Sequence, residues 1–489
     1  MKQRSIKLNA MLNMIRQSLN VLFPLITYPY VSRVLGANNF GRYSFSDSIV
    51  QILITLSVIG IPTYAVREGA MVRSRREEIG TFCAEVFTIN LISAMLSYLI
   101  LLVMVLTIER LRVESVFIAI LSVNILSRCL GRDWLNSIYE EYLYISIRFI
   151  IVHVVSLVLI FLFVKRPDDL LTYVIIMAMS TLLGNVLNIY YTYRCVPYAL
   201  RFSKDMLRHL KPILILFCSS VATTLYIRSD ITILGFLRSD GDVGVYTMSS
   251  KIYTIVKNIM NAVITVAIPR LSFYLGQDGA EGRADYNRLL NNLRNALILL
   301  LFPGTVGLFC LSSDIMYILG GSEFQWGDVS LQILCLALMF AVFGCFFAHA
   351  VLIVNRQEKV FFKATVLSAL INISLNSFFI PFMGINGAAL TTAISECCIV
   401  IYCSLSARDY YASDRSKLIC YVRTTVVECI LIVTLSILFR KICRGMAPRI
   451  ILTIGSSLLA YMVLLIATRN EILLDVINKM KRKIGDVAK

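Results

Sequence analysis

Long apolar runs leave this chain few ways to fold. A helix of about 17–25 mostly apolar residues can cross the hydrocarbon core of a bilayer. About fourteen such runs can be marked along the sequence. The first seven are Leu8–Ser32, Tyr43–Val66, Ile79–Thr107, Glu114–Leu130, Tyr142–Val164, Leu170–Tyr193 and Pro212–Leu237. The rest are Gly244–Pro269, Leu289–Leu311, Val329–Val354, Val360–Phe382, Gly387–Ala407, Leu418–Phe439 and Ile450–Thr468. Of 489 residues, 58% are hydrophobic, above the roughly 45–50% usual for soluble domains. The expected class is an all-α polytopic membrane protein. The first run ends in Pro29-Tyr-Val-Ser-Arg33 rather than a small-residue cleavage site, so it reads as a retained helix and not a removed signal peptide.

Only 16% of residues are charged, yet the net charge is +17. In a soluble protein that excess would suggest nucleic acid. Here the cations sit mostly between apolar runs, which points to membrane topology and anionic lipid instead. With the N-terminus placed inside, the inner loops hold most of the Lys and Arg, notably Arg67, Arg73, Arg75, Arg76 and the stretch Arg194–Lys211. Both termini are expected on the cytoplasmic side. The thirteen cysteines lie mainly in apolar runs, and the three histidines are scattered. Neither a disulfide framework nor a metal site is expected, and no cofactor.

Five cations lie inside the apolar runs themselves: Arg16, Arg148, Arg228, Lys251 and Lys257. A charge at bilayer depth costs about 2.5–3.5 kcal/mol on insertion scales and rarely faces lipid. Their common sign suggests a cavity for something anionic. The chain also repeats. The first run ends Leu35-Gly36, and the next opens Gly41-Arg-Tyr43 and ends Ile61-Pro62. The seventh ends Leu234-Gly235, and the eighth opens Gly244-Val-Tyr246 and ends Ile268-Pro269. An even number of spans separates the copies, so they share an orientation. That is a parallel repeat with its axis along the membrane normal, a transporter pattern; chance similarity of Gly/Tyr-rich turns is the alternative. The expected organisation is two six-helix lobes, 1–196 and 197–410, related by a pseudo-two-fold repeat. Two further helices and a basic tail occupy 411–489.

Tyr28-Pro-Tyr-Val-Ser-Arg-Val-Leu-Gly36, Gly41-Arg-Tyr43 and Thr63-Tyr-Ala-Val-Arg-Glu-Gly69 carry a family resemblance. Arg228-Ser-Asp-Ile-Thr-Ile-Leu-Gly235, Ile268-Pro-Arg-Leu-Ser272 and Gly384-Ile-Asn-Gly-Ala-Ala-Leu-Thr-Thr392 continue it. From about Asn9 to Tyr402 the chain resembles bacterial polysaccharide, or O-antigen, flippases of the Wzx type. These belong to the multidrug/oligosaccharidyl-lipid/polysaccharide exporter superfamily. The resemblance implies two lobes around a central cavity, alternating access, and undecaprenyl-pyrophosphate-linked oligosaccharide as cargo, carried across the bacterial inner membrane for O-antigen, capsule or related polymers. It also implies work beside a polysaccharide polymerase and chain-length machinery.

Such a cargo needs a polar route for its head group, and both Arg and Lys suit pyrophosphate. At helical spacing Tyr253, Lys257 and Asn261 share one face, combining cation, aromatic and amide. Lys251 points elsewhere or borders the same cavity. The structural alternative is an interhelical ion pair with Asp230, though Arg228 and Asp230 are two residues apart and do not share a face. Arg16 and Arg148 line a cavity or snorkel to the interface. Asp47, Glu396 and Asp230 are candidates for coupling to H⁺ or Na⁺, against simple pairing or capping. Glu85 lies within reach of Arg73, Arg75 or Arg76. Glu428 is a further intramembrane acid, for which pairing or capping is the expected role. Pro24 and Pro29 are hinges or static kinks. Arg67 and Glu68 form a gate or a helix-end salt bridge. No phosphate-binding loop or catalytic constellation is present: Gly276–Arg283 is glycine-rich but lacks the Gly-Lys-Ser/Thr that nucleotide phosphates need. A transporter is expected rather than an enzyme. The competing readings are a cation-coupled drug exporter of the same superfamily and a membrane glycosyltransferase or polymerase.

Overall fold

A computed structural model describes residues 6–197, 199–277 and 279–468, except the side chains of 6–18, 20, 21 and 219. No strand occurs among the described residues. The helices are α1 (Ile6–Val58), α2 (Ile61–Val72), α3 (Arg76–Thr107), α4 (Glu109–Val113), α5 (Ser115–Gly131) and α6 (Asp133–Ile138). Then come α7 (Tyr142–Phe163), α8 (Leu170–Cys195), α9 (Leu207–Leu237), α10 (Asp240–Leu275), α11 (Ala280–Cys310) and α12 (Ser312–Gly320). The last are α13 (Asp328–Cys345), α14 (Glu358–Met383), α15 (Ile385–Ser406), α16 (Arg415–Ile442) and α17 (Met446–Ala467). A π-helical stretch, Phe346–Ile353, extends α13.

Among the described residues, 13 helical segments are long and apolar enough to cross a membrane. The chain is a polytopic, all-helical membrane protein. The expected spans fall on these segments. Leu8–Ser32 and most of Tyr43–Val66 lie in α1, which is two helices meeting at a kink at Gly36, with no loop after it. At 1.5 Å per residue the two parts are about 45 and 33 Å long, each enough to cross a roughly 30 Å core. Gly36 interrupts it with φ 75° and ψ 171°, a conformation that glycine adopts without steric cost. α16 and α17, the pair hardest to delimit by sequence, are distinct helices joined at Cys443–Gly445.

The chain divides into two compact units. One comprises Met1–Met248, Leu319–Phe324 and Ala369–Ala388. Part of its interior is built by Ile61, Tyr64, Phe82, Val86, Trp134 and Ile138, where α2, α3 and α6 meet. The other comprises Ser249–Ile318, Gln325–Ser368 and Ala389–Lys489. In it α11 packs on α13 and α16, and α16 packs on α17.

Inside the first unit the two repeat copies touch through their glycines. A Cβ on Gly41 would overlap the Asp240 carbonyl, and one on Gly244 would overlap the Ala37 carbonyl. A Cβ on Gly235 would enter the Phe45 ring. Small residues let helix backbones approach this closely. The glycines of the repeated motif therefore sit where the copies pack. The break at Gly36 is also held from a distant part of the chain: the Ala37 amide donates to Glu323 Oε2 at 2.8 Å, and Ser32 Oγ donates to the Leu319 carbonyl at 2.9 Å.

Candidate functional site

α10 carries Tyr253 and Lys257 one turn apart, so both reach the same neighbour. That neighbour is Glu396, near the middle of α15. Lys257 Nζ donates to Glu396 Oε1 at 2.5 Å, and the Tyr253 hydroxyl donates to the same oxygen at 2.7 Å. Lys257 Nζ also lies 3.3 Å from the Tyr253 hydroxyl and 5.5 Å from its ring centre. The Glu396 side chain is 3% exposed and that of Lys257 21%. Asn261, next on the same face, has a buried Oδ1 with no hydrogen-bond partner among the described residues. Cys345 and His349 of the π-extended α13 lie beside Lys257. Such π-helical turns are frequent at functional sites. Lys251 is half-buried on the same helix as Lys257.

A second polar cluster belongs to the first unit. Arg228 Nη1 meets Asp47 Oδ2 at 3.2 Å, with both side chains about a quarter to a fifth exposed, 24% and 21%. Gln51 donates to Asp47 Oδ1 at 3.1 Å. One turn to either side, Thr55 pairs with Thr224 and Thr232 donates to Ser48. A hydrogen-bonded stripe thus joins α1 to α9. Asp230 faces another way, as its spacing from Arg228 dictates. It accepts from the Tyr246 hydroxyl and from Asn376 Nδ2, both at 2.6 Å. Ser229 donates to Asn372 Oδ1, and Asn376 also reaches Asn372. All five of these residues are buried. Lys257 thus pairs with Glu396, and Arg228 with Asp47.

Arg148 Nη2 bonds Asp133 Oδ1 at 2.7 Å with its side chain 10% exposed. Its guanidinium is thus engaged by a carboxylate at the start of α6. The Arg16 side chain lies outside the described residues. Arg67 and Glu68 pair with each other at 2.9 Å on an exposed face of α2. Glu85 departs from expectation. Arg73 goes to Glu140 and Arg75 to Glu78, while Glu85 is met by Arg208 at 3.2 Å and His209 Nε2 at 2.9 Å. His209 Nδ1 in turn shares a 2.6 Å hydrogen bond with the Tyr64 hydroxyl. The residues from Arg201 to His209 fold back over α3 and reach this carboxylate. Arg208 and His209 border an 810 Å³ cleft lined also by Glu68, Arg75 and Glu78. Sequence reasoning missed this Tyr–His–Glu chain and the two asparagines beside Asp230. Asn372 and Asn376, one turn apart in an apolar run, were the available signal.

Among the described residues no group of three or more His, Cys, Asp or Glu is placed to hold a metal ion. The sites are charge clusters in helices, suited to binding and translocation.

Comparison with known proteins adds the family. Residues 6–275, more than half of the chain, match the family described as polysaccharide biosynthesis protein. A putative O-antigen transporter of Escherichia coli (strain K12) is 20% identical over 399 residues, covering 81% of this chain and 95% of that protein. A probable low-salt glycan biosynthesis flippase, Agl15, of Haloferax volcanii is 27% identical over 177 residues, 36% of this chain and 37% of that one. Among solved structures, the lipid II flippase MurJ in an inward closed conformation aligns with TM-score 0.67 at 19% identity, over 95% of this chain and 99% of that one. That likeness shows a shared fold. The chain belongs to the polysaccharide biosynthesis protein family.

Proposed function

We propose that the protein is a flippase. It moves undecaprenyl-pyrophosphate-linked oligosaccharide repeat units from the cytoplasmic to the outer leaflet of the bacterial inner membrane, by alternating access, for O-antigen, capsule or a related surface polymer. The relatives support the class, being an O-antigen transporter, a glycan flippase and a flippase of lipid II by name. The observation that carries the reading is Lys257, halfway along its helix and tied to a nearly fully buried carboxylate. A pyrophosphate arriving there replaces Glu396 as the partner of Lys257, with the Tyr253 hydroxyl already positioned as a second donor. Charge attraction is strong in such low-dielectric surroundings. For uptake of H⁺ or Na⁺ the reading keeps Asp47, Glu396 and Asp230, the last buried and accepting from the Tyr246 hydroxyl and Asn376. Lobes at 1–196 and 197–410, with both termini cytoplasmic, complete the reading.

The test is reconstitution in liposomes with labelled lipid-linked oligosaccharide. Wild type is expected to move label to the outer leaflet, and Lys257→Ala to lose at least an order of magnitude in rate. Unchanged flipping by Lys257→Ala would remove the cluster from the path. Transport of cationic drugs with no movement of the lipid-linked glycan would favour the drug-exporter reading.

A further inference from the structure

The C-terminal helix pair contains a carboxyl group that the transport reading does not use. Glu428 lies at the midpoint of α16, so on a membrane passage its side chain sits near mid-bilayer. It is 0% exposed, and both of its carboxyl oxygens lack a hydrogen-bond partner among the described residues. The other buried glutamates differ: Glu85, Glu114 and Glu396 each meet a cationic side chain. Two further polar side chains of this helix pair lack partners among the described residues. Thr425, three residues earlier on the same face, is buried with an unpartnered hydroxyl. Ser457, at the middle of α17, has a buried hydroxyl in the same state.

α16 and α17 run antiparallel across the short connection Cys443–Gly445. Equal counts back from Ile442 and forward from Met446 bring Glu428 level with Tyr461 to within a residue. Tyr461 is an electrostatic neighbour of Glu428, and its hydroxyl donates to the Leu299 carbonyl of α11 at 2.8 Å. The titratable groups facing Glu428 are thus Tyr461 of α17 and its own neighbour Cys429, with Cys310 of α11 beyond. None is cationic.

An isolated ionised carboxylate in such surroundings is too costly to persist, and the group is neutralised instead. A carboxylic acid carries one O–H donor and one acceptor oxygen. The hydroxyls of Thr425 and Ser457 make no hydrogen bond among the described residues, so neither compensates a charge at Glu428. We propose that Glu428 is a proton-binding site in the α16–α17 pair, at the packing face against α11. The acid form is the one that packs, and losing the proton to solvent leaves a charge that loosens the pair from α11.

Infrared difference spectroscopy on the full chain in lipid nanodiscs tests this directly. The wild-type minus Glu428→Gln spectrum at pH 7 is expected to contain the carbonyl stretch of a protonated carboxyl. That band should fade as pH is raised and persist when NaCl is added at fixed pH. Glu428→Gln, which mimics the neutral acid, should match the wild-type melting temperature at pH 7 and lack its fall at higher pH. Should Gln fail to fold, Glu428→Leu serves as the reference. Carboxylate bands alone at pH 7 would overturn the proposal. So would loss of the acid band on adding Na⁺, which would make this a metal-cation site.

Discussion

Lys257–Glu396 and Arg228–Asp47 are both ion pairs inside apolar helices, yet they are built differently. The first converges on one carboxylate oxygen that is almost sealed from solvent, with a tyrosine hydroxyl on the same atom. The second is partly open and belongs to a ladder of neutral hydrogen bonds running along α1 and α9. A sealed pair does little for net stability but is costly to break from one side, because the remaining charge is stranded. A partly open pair, backed by a glutamine and flanking hydroxyls, can lose one member cheaply. Under the proposed function, the first is a charge held for exchange and the second one that fastens two helices.

The largest effect should come from Lys257→Ala. Stranding Glu396 is expected to destabilise the protein by about 3–5 kcal/mol, read by thermal unfolding in lipid nanodiscs. Adding Glu396→Gln should recover most of that stability and none of the flipping rate. If the double variant flips normally, the two pairs are equivalent fasteners and the contrast collapses. Next in size is Gly244→Ala, whose Cβ meets the Ala37 carbonyl; overpacking of this kind costs about 1–3 kcal/mol. No charge is involved, so its effect should be independent of salt. Arg228→Ala should cost about 1 kcal/mol, the scale of one hydrogen bond. Its penalty should shrink with ionic strength more than that of Lys257→Ala, since exposed charges are screened more. Equal salt responses would mean that exposure does not distinguish the pairs. Smallest is Arg67→Ala, where an exposed pair contributes about 0–1 kcal/mol. A large loss of flipping with unchanged stability would mark Arg67 as a gate residue.

Much of the helical layout could be read from the chain because span length and hydropathy are local properties. Pro212–Leu237 and Val360–Phe382 lie within α9 and α14 for that reason. The two apolar runs flanking Gly36 were legible as separate helices, but not that the second begins directly after the break, since a glycine and two asparagines suggest a longer loop. The face shared by Tyr253 and Lys257 was legible from helical spacing. Their convergence on Glu396 was not: Lys257 and Glu396 are 139 residues apart, and no periodicity spans that interval. His209 gave no signal, because its meaning lies in Tyr64 and Glu85 on two other helices.

The carboxylate at the bend of α1 has a consequence for biogenesis. The Ala37 amide finds its partner 286 residues downstream, at Glu323. While the ribosome is still making the middle of the protein, that partner does not exist. The two helical parts of α1 are therefore made before their junction can be completed, and it acquires its final form only after most of the chain has been made. A nascent chain stalled before Leu319 should leave the Ala37 amide open to hydrogen exchange, and one stalled well past Phe324 should protect it.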